Sequence, residues 1–357
     1  MYFDLTDEQK MLQDSVDGWL ADSSGDAAIA AHADTPPEQT DHGWRGAVEL
    51  GLPSLIVPEA FGGMGMDLLT LAVVMNRFGH YAAPAPLFPH AIVSLAIALG
   101  GSDEQKATWL PKLASGEIVA TFAFGEPGAD GRWEPASWQL GGGRLNGTKS
   151  HVIAAQQADL LLVGIEGGRL ALVEKSAPGI QLQALDTIDT SRRTFDITFT
   201  DTPCAPLPGD VATRVRDAAL VCLAADACGA AQRALDLTVE YAKTRQQFGR
   251  LIGSFQGLKY QIVNVATRQE PTRYLCWYAA HAFDAMPQES ERLAALAKAH
   301  VTDVAVELGR VAVESHGGIG YTWEYPLHYF LKRAMFDRVY LGLPAVHRER
   351  VARVREW

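Results

Sequence analysis

The sequence predicts an α+β multidomain fold: an N-terminal all-α domain over residues 1–117, a small antiparallel β-barrel or sandwich over 118–208, and a C-terminal four-helix bundle over 209–357. Three observations carry that expectation. Apolar residues recur at helical spacing as far as Leu113, short β-branched and aromatic runs take over past Ile118, and proline-poor apolar stripes return after Pro208.

At the N-terminus, Thr6-Asp7-Glu8-Gln9 has the form of a capping box, with Thr6 as cap and Gln9 three residues on. Helical patterns follow at Trp44 to Leu50, Leu68 to His80, Pro89 to Leu99 and Asp103 to Leu113. The glycine-rich run Pro58 to Gly65 reads as a turn between them. Strands are expected at Val119 to Phe124, Asp159 to Ile165, Leu170 to Glu174 and Thr194 to Thr200. In the last of these, Phe195, Ile197 and Phe199 alternate with polar residues, the period of a half-buried strand. Gly141-Gly142-Gly143 before Arg144 suggests a hairpin turn. Beyond Pro208, the stretch Val211 to Thr244 carries Leu220, Leu223, Ala227, Ala231, Ala234 and Leu237 along one stripe. Ser290 to Val313 repeats that pattern, and Phe255 to Arg268 and Thr272 to Met286 supply two more helices, divided at Pro271. Four such helices pack as a bundle and tend to dimerise through leftover apolar faces.

Composition narrows the function. A formal charge of -11 leaves no dominant basic face for general nucleic-acid binding. One phosphate-bearing ligand is still compatible, because arginine, backbone amides and helix ends bind phosphate locally. Uninterrupted apolar runs such as Ala91 to Leu99 and Ala218 to Ala225 fall short of the roughly 20 residues of a membrane span. The start MYFDLTDEQK has no basic and apolar signal pattern, so a cytoplasmic protein is expected. Cys204, Cys222, Cys228 and Cys276 lack metal-ligand or CxxC spacing and read as small buried hydrophobes, with no metal site expected.

Two segments stand out for chemistry: Arg245 to Gln256, RQQFGRLIGSFQ, and Glu314 to Pro326, ESHGGIGYTWEYP. Arg245 closes the long helix, three residues before Phe248 and ten before Phe255, where a guanidinium could fork onto a pyrophosphate beneath two phenyl rings. Taken alone, an arginine there is more commonly a partner of the helix dipole. Gly317-Gly318 either caps the preceding helix or lets the backbone approach a ligand closely. Because the glycines follow a helix, they are not a dinucleotide fingerprint, which should follow a strand.

In combination these segments resemble the two signature regions of the acyl-CoA dehydrogenases, RQQFGRLIGSFQGLK at 245–259 and HGGIGYTWEYPLHYFLKRA at 316–334. FDLTDEQ at 3–9, VPEAFGGMG at 57–65, WLPKLASGE at 109–117 and EPGA at 126–129 are similar to the same family in the same order, and the predicted architecture is that family's. The resemblance implies a flavoprotein with FAD lying across a subunit interface. Arg245, Gln247, Phe248, Phe255 and Gln256, with Glu314, His316, Gly317 and Gly318, would then touch the adenosine and pyrophosphate of FAD bound mainly by a neighbour. It implies α,β-dehydrogenation of an acyl-CoA thioester, a carboxylate taking the α proton and the flavin accepting hydride.

The chain departs from that pattern where the chemistry would occur. The position the resemblance gives to the base, between Tyr340 and Gly342, holds Leu341, and the alternative position holds Ala219. Neither accepts a proton, and losing a general base typically lowers the rate by roughly 10²–10⁴. Asp226, seven residues after Ala219, is the weak remaining candidate, though an acid satisfied by a neighbouring arginine or hydroxyl is its plainer account. Four expected flavin contacts are replaced by Gly125, Gly131, His151 and Ile153, and Glu314 stands where the family has glutamine. His151 and His316 could titrate near neutrality, yet such histidines usually pack or cap.

Three functions follow as expectations. The first is a partner subunit in a heterotetramer with a larger acyl-CoA dehydrogenase subunit, resembling the smaller, base-lacking subunit of bacterial steroid-side-chain enzymes and completing a shared FAD site. The second is a self-sufficient homomeric dimer or tetramer with a displaced base. The third is a non-enzymatic CoA-ester binding or scaffold protein.

Overall fold

The computed structural model describes residues 4–34, 43–128, 133–141 and 143–355. The chain runs through α1 (Asp7–Ser23), α2 (Asp26–Asp34), α3 (Trp44–Glu49), α4 (Leu68–His80), α5 (Leu87–Gly100) and α6 (Asp103–Ala114). There follow β1 (Ala120–Ala123), β2 (Arg144–Ile153), β3 (Leu160–Ile165), β4 (Arg169–Glu174), β5 (Ile180–Ala184), β6 (Thr194–Pro203) and β7 (Ala205–Pro206). Helix returns with α7 (Ala212–Thr244), interrupted by the hairpin β8 (Gln246–Gln247) and β9 (Arg250–Leu251). Then come α8 (Gln256–Gln269), α9 (Thr272–Ala285), α10 (Pro287–His316), α11 (Leu327–Val339) and α12 (Pro344–Val354). The helical, β, helical order matches the expectation. By internal packing the residues form two compact units, Pro37–Leu71 with Pro84–Ala219, and Met1–Pro36 with Ala72–Ala83 and Leu220–Trp357.

The unit that contains the strands is an open sandwich. One sheet has the order β1-β3-β4-β7 and the other β2-β6-β5. The first sheet corrects the expectation of a wholly antiparallel domain, because β1 pairs parallel with β3. Between them the chain crosses to the second sheet through β2, the long connection that a parallel pair requires. The inner faces meet through Leu161, Val163 and Val173 on one side and Leu145, Phe195, Ile197 and Phe199 on the other. Phe195, Ile197 and Phe199 point inward as their alternation predicts. Residues 138–141 form no strand, so the glycine run leads into β2 rather than joining two paired strands, and Gly142 itself lies outside the described residues.

Glu126, in the EPGA segment, organises one edge of this unit. Its carboxylate accepts the N–H groups of Gln139 (3.0 Å) and Leu140 (3.3 Å) and the Nζ of buried Lys149 (2.7 Å). Lys149 Nζ also lies 5.4 Å from the centre of the Trp138 ring, and burial lowers its pKa to about 8. Trp138 fits because position 164 is glycine: a Cβ there would stand 2.6 Å from the indole.

In the second unit, the capping box forms as predicted. Thr6 Oγ1 accepts the Gln9 N–H and Gln9 Oε1 accepts the Thr6 N–H. Helices α4 and α7 cross at backbone contact through two glycines. A Cβ on Gly229 would lie 1.8 Å from the Asn76 carbonyl oxygen, and one on Gly79 would lie 1.9 Å from the Asp226 backbone carbonyl oxygen. Asn76 Nδ2 donates to the Ala225 carbonyl across the same crossing (3.2 Å). Helix α7 has the length and apolarity of a membrane span, more than its uninterrupted runs suggested, but 83% of its apolar window is buried inside the protein, as in a core helix.

Pro271 separates α8 from α9, as expected. Helix α10 packs against α8, α9, α11 and α12. The core joins Ala227, Ala231 and Ala234 of α7, Leu308 and Ala312 of α10, and Phe330 and Ala334 of α11. The last two helices extend the expected bundle of four. Their inward faces hide Arg333, Asp337, His347 and Arg350, and those polar residues break the apolar period that would have announced them. Gly229→Ala should therefore lower unfolding stability by about 2 kcal/mol or more, because backbone rather than a flexible side chain opposes the new methyl. Denaturant unfolding measures it, and an unchanged midpoint would contradict the crossing.

Candidate cofactor site

The expected cofactor residues gather on two elements of the helical unit. At the end of α7 the Arg245 N–H donates to the Tyr241 carbonyl (2.8 Å), and the Ile252 N–H donates back to the Arg245 carbonyl (2.9 Å). That return bond folds the hairpin β8–β9 onto the helix end. Its two turn residues, Phe248 (φ 54°) and Gly249 (φ 76°), both lie in the left-handed region, as a type I′ turn requires. Glycine accepts this without cost, whereas phenylalanine does not. Phe248 is nonetheless 91% exposed, its ring edge-on to Phe255 at 6.2 Å. The Arg250 guanidinium covers Phe255 at 3.9 Å from the ring centre. Arg245, Gln247 and Gln256 are exposed on the same element.

The second element is the turn after α10. Gly317 has φ 62° and ψ -140°, a conformation open to glycine, and an added Cβ at Gly317 or Gly318 would meet nothing within 4 Å. The glycines are therefore not required by packing, and they leave exposed backbone beside exposed Glu314. His316 does not share this surface. Its ring is buried, Nδ1–H donating to the Ala312 carbonyl (2.7 Å) and Nε2 accepting from the Tyr325 hydroxyl (3.2 Å). It stacks on Tyr241 at 4.3 Å, and burial holds its pKa below the ordinary histidine value. The expectation that His316 touches the cofactor is corrected accordingly: the ring joins the base of the hairpin to the glycine turn and carries no charge to the surface.

No base is found at the expected positions. Leu341 is 1% exposed with φ 58°, and Ala219 is fully buried on α7. The turn that carries Leu341 is clamped from behind. Lys298 Nζ donates to the carbonyls of Arg338 and Gly342 (3.2 Å each), and His347 Nε2–H donates to the Gly342 carbonyl (3.1 Å). Burial lowers the Lys298 pKa to about 7. Asp226, the weak candidate, is withdrawn by its surroundings. Both its oxygens accept from Arg333, Oδ2 from Nε at 2.8 Å and Oδ1 from Nη2 at 2.9 Å, with both side chains buried. A carboxylate held in a buried bidentate pair is a poor proton acceptor.

In the other unit, the residues standing for flavin contacts face a side chain that sequence reasoning did not single out. A Cβ on Gly125 would lie 2.7 Å from Trp133 Cζ3 and 2.7 Å from the Ser150 carbonyl oxygen. The Trp133 ring is therefore packed directly on Gly125, and its centre lies 6.4 Å from that of His151. His151 is exposed at φ 57°, and Ile153 is buried, its carbonyl accepting from Thr121 Oγ1 at 2.6 Å. Gly131 lies outside the described residues. Among the described residues there is no cluster of three or more potential metal ligands.

Residues 6–117 match the acyl-CoA dehydrogenase N-terminal domain and residues 212–355 the acyl-CoA dehydrogenase C-terminal domain. The chain is 31% identical to "Acyl-CoA dehydrogenase IpdE2" of Mycobacterium tuberculosis, over 92% of this chain and 91% of that protein. It is 29% identical to "Acryloyl-CoA reductase (NADH)" of Anaerotignum propionicum, over 99% and 95% respectively. A solved structure of a variant of the "Tcur3481-Tcur3483 steroid ACAD" superposes with a TM-score of 0.89 at 28% identity, covering 98% of both chains.

Two outcomes follow from this geometry. Asp226→Asn should destabilise the fold by about 3–5 kcal/mol, because Arg333 would be left buried without its counter-charge. Equilibrium unfolding reads this, and a loss below about 1 kcal/mol would contradict the pairing. From about pH 7 to the usual lysine value near 10.5, the unfolded chain holds a proton that folded Lys298 has released. Stability should therefore rise with pH across that window, by up to about 1.4 kcal/mol per unit from this one group. Lys298→Met should flatten the slope, measured as the difference between the two unfolding-versus-pH curves.

Proposed function

The chain belongs to the acyl-CoA dehydrogenase family of flavoproteins, oxidoreductases acting on acyl-CoA, and from that premise we propose that it is a partner subunit. In this reading it completes the FAD site of a larger, catalytic family member with which it forms a heterotetramer, and the larger subunit dehydrogenates the acyl-CoA thioester. The observation that carries the reading is Trp133 packed on Gly125. An isoalloxazine needs a flat, open face with polar contacts, whereas this face is covered by an indole and lined by glycine, an exposed histidine and a buried isoleucine. The residues do not fit a flavin of the chain's own.

The outward half of the site fits a neighbour's cofactor. Arg245 offers a fork for the pyrophosphate, and the exposed backbone at Gly317-Gly318 permits close approach. Phe248 offers an exposed ring for the adenine, and Gln247 and Gln256 offer polar contacts beside it. FAD, when bound, supplies the hydride acceptor; this chain's part is to bind and orient its far end and to exclude water from it. The two-part designation of the similar steroid structure supports a heteromeric arrangement. A self-sufficient homomeric enzyme would need a displaced base, since Leu341 and Ala219 accept no proton and Asp226 is committed to Arg333. No observation favours a scaffold role.

Co-expression with a larger family member, followed by the absorbance spectrum of each chain alone and of the pair, tests the proposal. The pair should be yellow with one FAD for every two chains, and this chain alone colourless. Arg245→Ala in this chain should weaken FAD retention by the pair roughly tenfold or more. A stoichiometric flavin on this chain alone, bleached by an acyl-CoA, would overturn it.

A further inference from the structure

The helical unit contains a polar cavity of about 220 Å³ between α1, α4, α7 and the α8–α9 junction. It shares no residue with the surface formed by residues 245–256 and 314–318. Among the described residues its wall carries three cations, Lys10, Arg77 and Arg273, and two carboxylates, Asp4 and Glu270. Two of the cations close on the carboxylates in exposed pairs. Lys10 Nζ donates to Asp4 (3.0 Å) and Arg273 Nη2 to Glu270 (2.9 Å). Arg77 is half-buried, and its Nε donates to Asp17 (2.5 Å), an acid outside the wall. Among the described residues its two Nη atoms have no hydrogen-bond partner, so the cavity holds a guanidinium fork with its terminal nitrogens unused.

Two amides on the same wall supply acceptors, and what their nitrogens do fixes which way they point. Asn76 Nδ2 donates to the Ala225 carbonyl (3.2 Å), and Gln232 Nε2 donates to the Asp236 carboxylate (2.9 Å). Each nitrogen meets an acceptor, so the other end of each amide is the oxygen. Among the described residues neither oxygen receives a donor, and both are accessible on half-buried side chains. The crossing of α4 and α7 brings them together: the Asn76 carbonyl abuts Gly229, and Gln232 follows Gly229 by three residues, on the neighbouring turn. Leu5, Val73 and Trp277 add apolar surface to the wall.

We propose that this cavity binds a small zwitterion of the amino-acid class. The carboxylate lies on the Arg77 Nη fork, the geometry in which a guanidinium holds a carboxylate most firmly. The ammonium donates to Asn76 Oδ1 and Gln232 Oε1, and the apolar side chain lies against Leu5, Val73 and Trp277. Mixed charge on the wall makes the choice. A simple cation would meet Arg77 with no group of its own to offset that charge, and a simple anion would leave the two amide oxygens without donors. A ligand with both charges one carbon apart satisfies the fork and the acceptors together.

Isothermal titration calorimetry on the full chain tests the site with L-leucine and its two half-molecules: 3-methylbutylamine, which lacks the carboxylate, and 4-methylpentanoate, which lacks the ammonium. L-Leucine should bind saturably, and each half-molecule about tenfold or more weaker, as loss of a charge-assisted hydrogen bond requires. Arg77→Lys keeps a cation for Asp17 but loses the fork, and it should weaken L-leucine about tenfold or more. Gln232→Leu should do the same with the unfolding midpoint unchanged, because its own bond to Asp236 is exposed. No binding of L-leucine, equal binding of 4-methylpentanoate, or unchanged affinity in Gln232→Leu would overturn the proposal.

Discussion

The bidentate pair between Asp226 and Arg333 is the constraint on which the helical unit depends. Arg333 also donates to the Ala83 carbonyl, so one guanidinium ties α7, α11 and the turn after α4 together. Burying two charges is expensive, and the cost is met only because each oxygen of the carboxylate receives an N–H in good geometry. The glycine crossing of α4 and α7 brings the backbones close at this same point, with Gly79 facing Asp226 itself. An acid so placed orders helices and, held as a carboxylate by the guanidinium, is a poor proton acceptor.

From that anchor α11 runs to the turn at Tyr340-Leu341-Gly342. Lys298 satisfies two carbonyls there, and the penalty of burying an ammonium appears as its low pKa. The turn is thus held firmly in a left-handed conformation around an apolar side chain. A tightly organised turn around leucine offers no proton acceptor there. Toward solvent the same unit presents the opposite character: an exposed phenylalanine in a strained turn and a glycine pair with nothing packed on it.

What was legible depended on how far apart the partners lie. The Thr6–Gln9 capping box could be read from four consecutive residues, because both its bonds are local. Pro271 marked the break between α8 and α9 for the same reason. Helices α11 and α12 escaped because Arg333, Asp337, His347 and Arg350 point inward, where periodicity expects apolar residues. Trp133 gave no signal as an isolated tryptophan. Its meaning arises only where it meets Gly125. His316 was misassigned because its place between two glycine-bearing segments resembled a ligand position, whereas its hydrogen bonds run inward to Ala312 and Tyr325.

By itself, the sequence determined the order of helical and β segments, the family and the missing acid at Leu341, since each of these is written in local pattern or residue identity. Tertiary structure alone decided that Asp226 is engaged, that Trp133 covers Gly125 and that one sheet is mixed. Each of those facts is a contact between side chains or strands distant in the chain. Such contacts carry free energy only after folding brings the groups together, and so they leave no periodic trace along the chain.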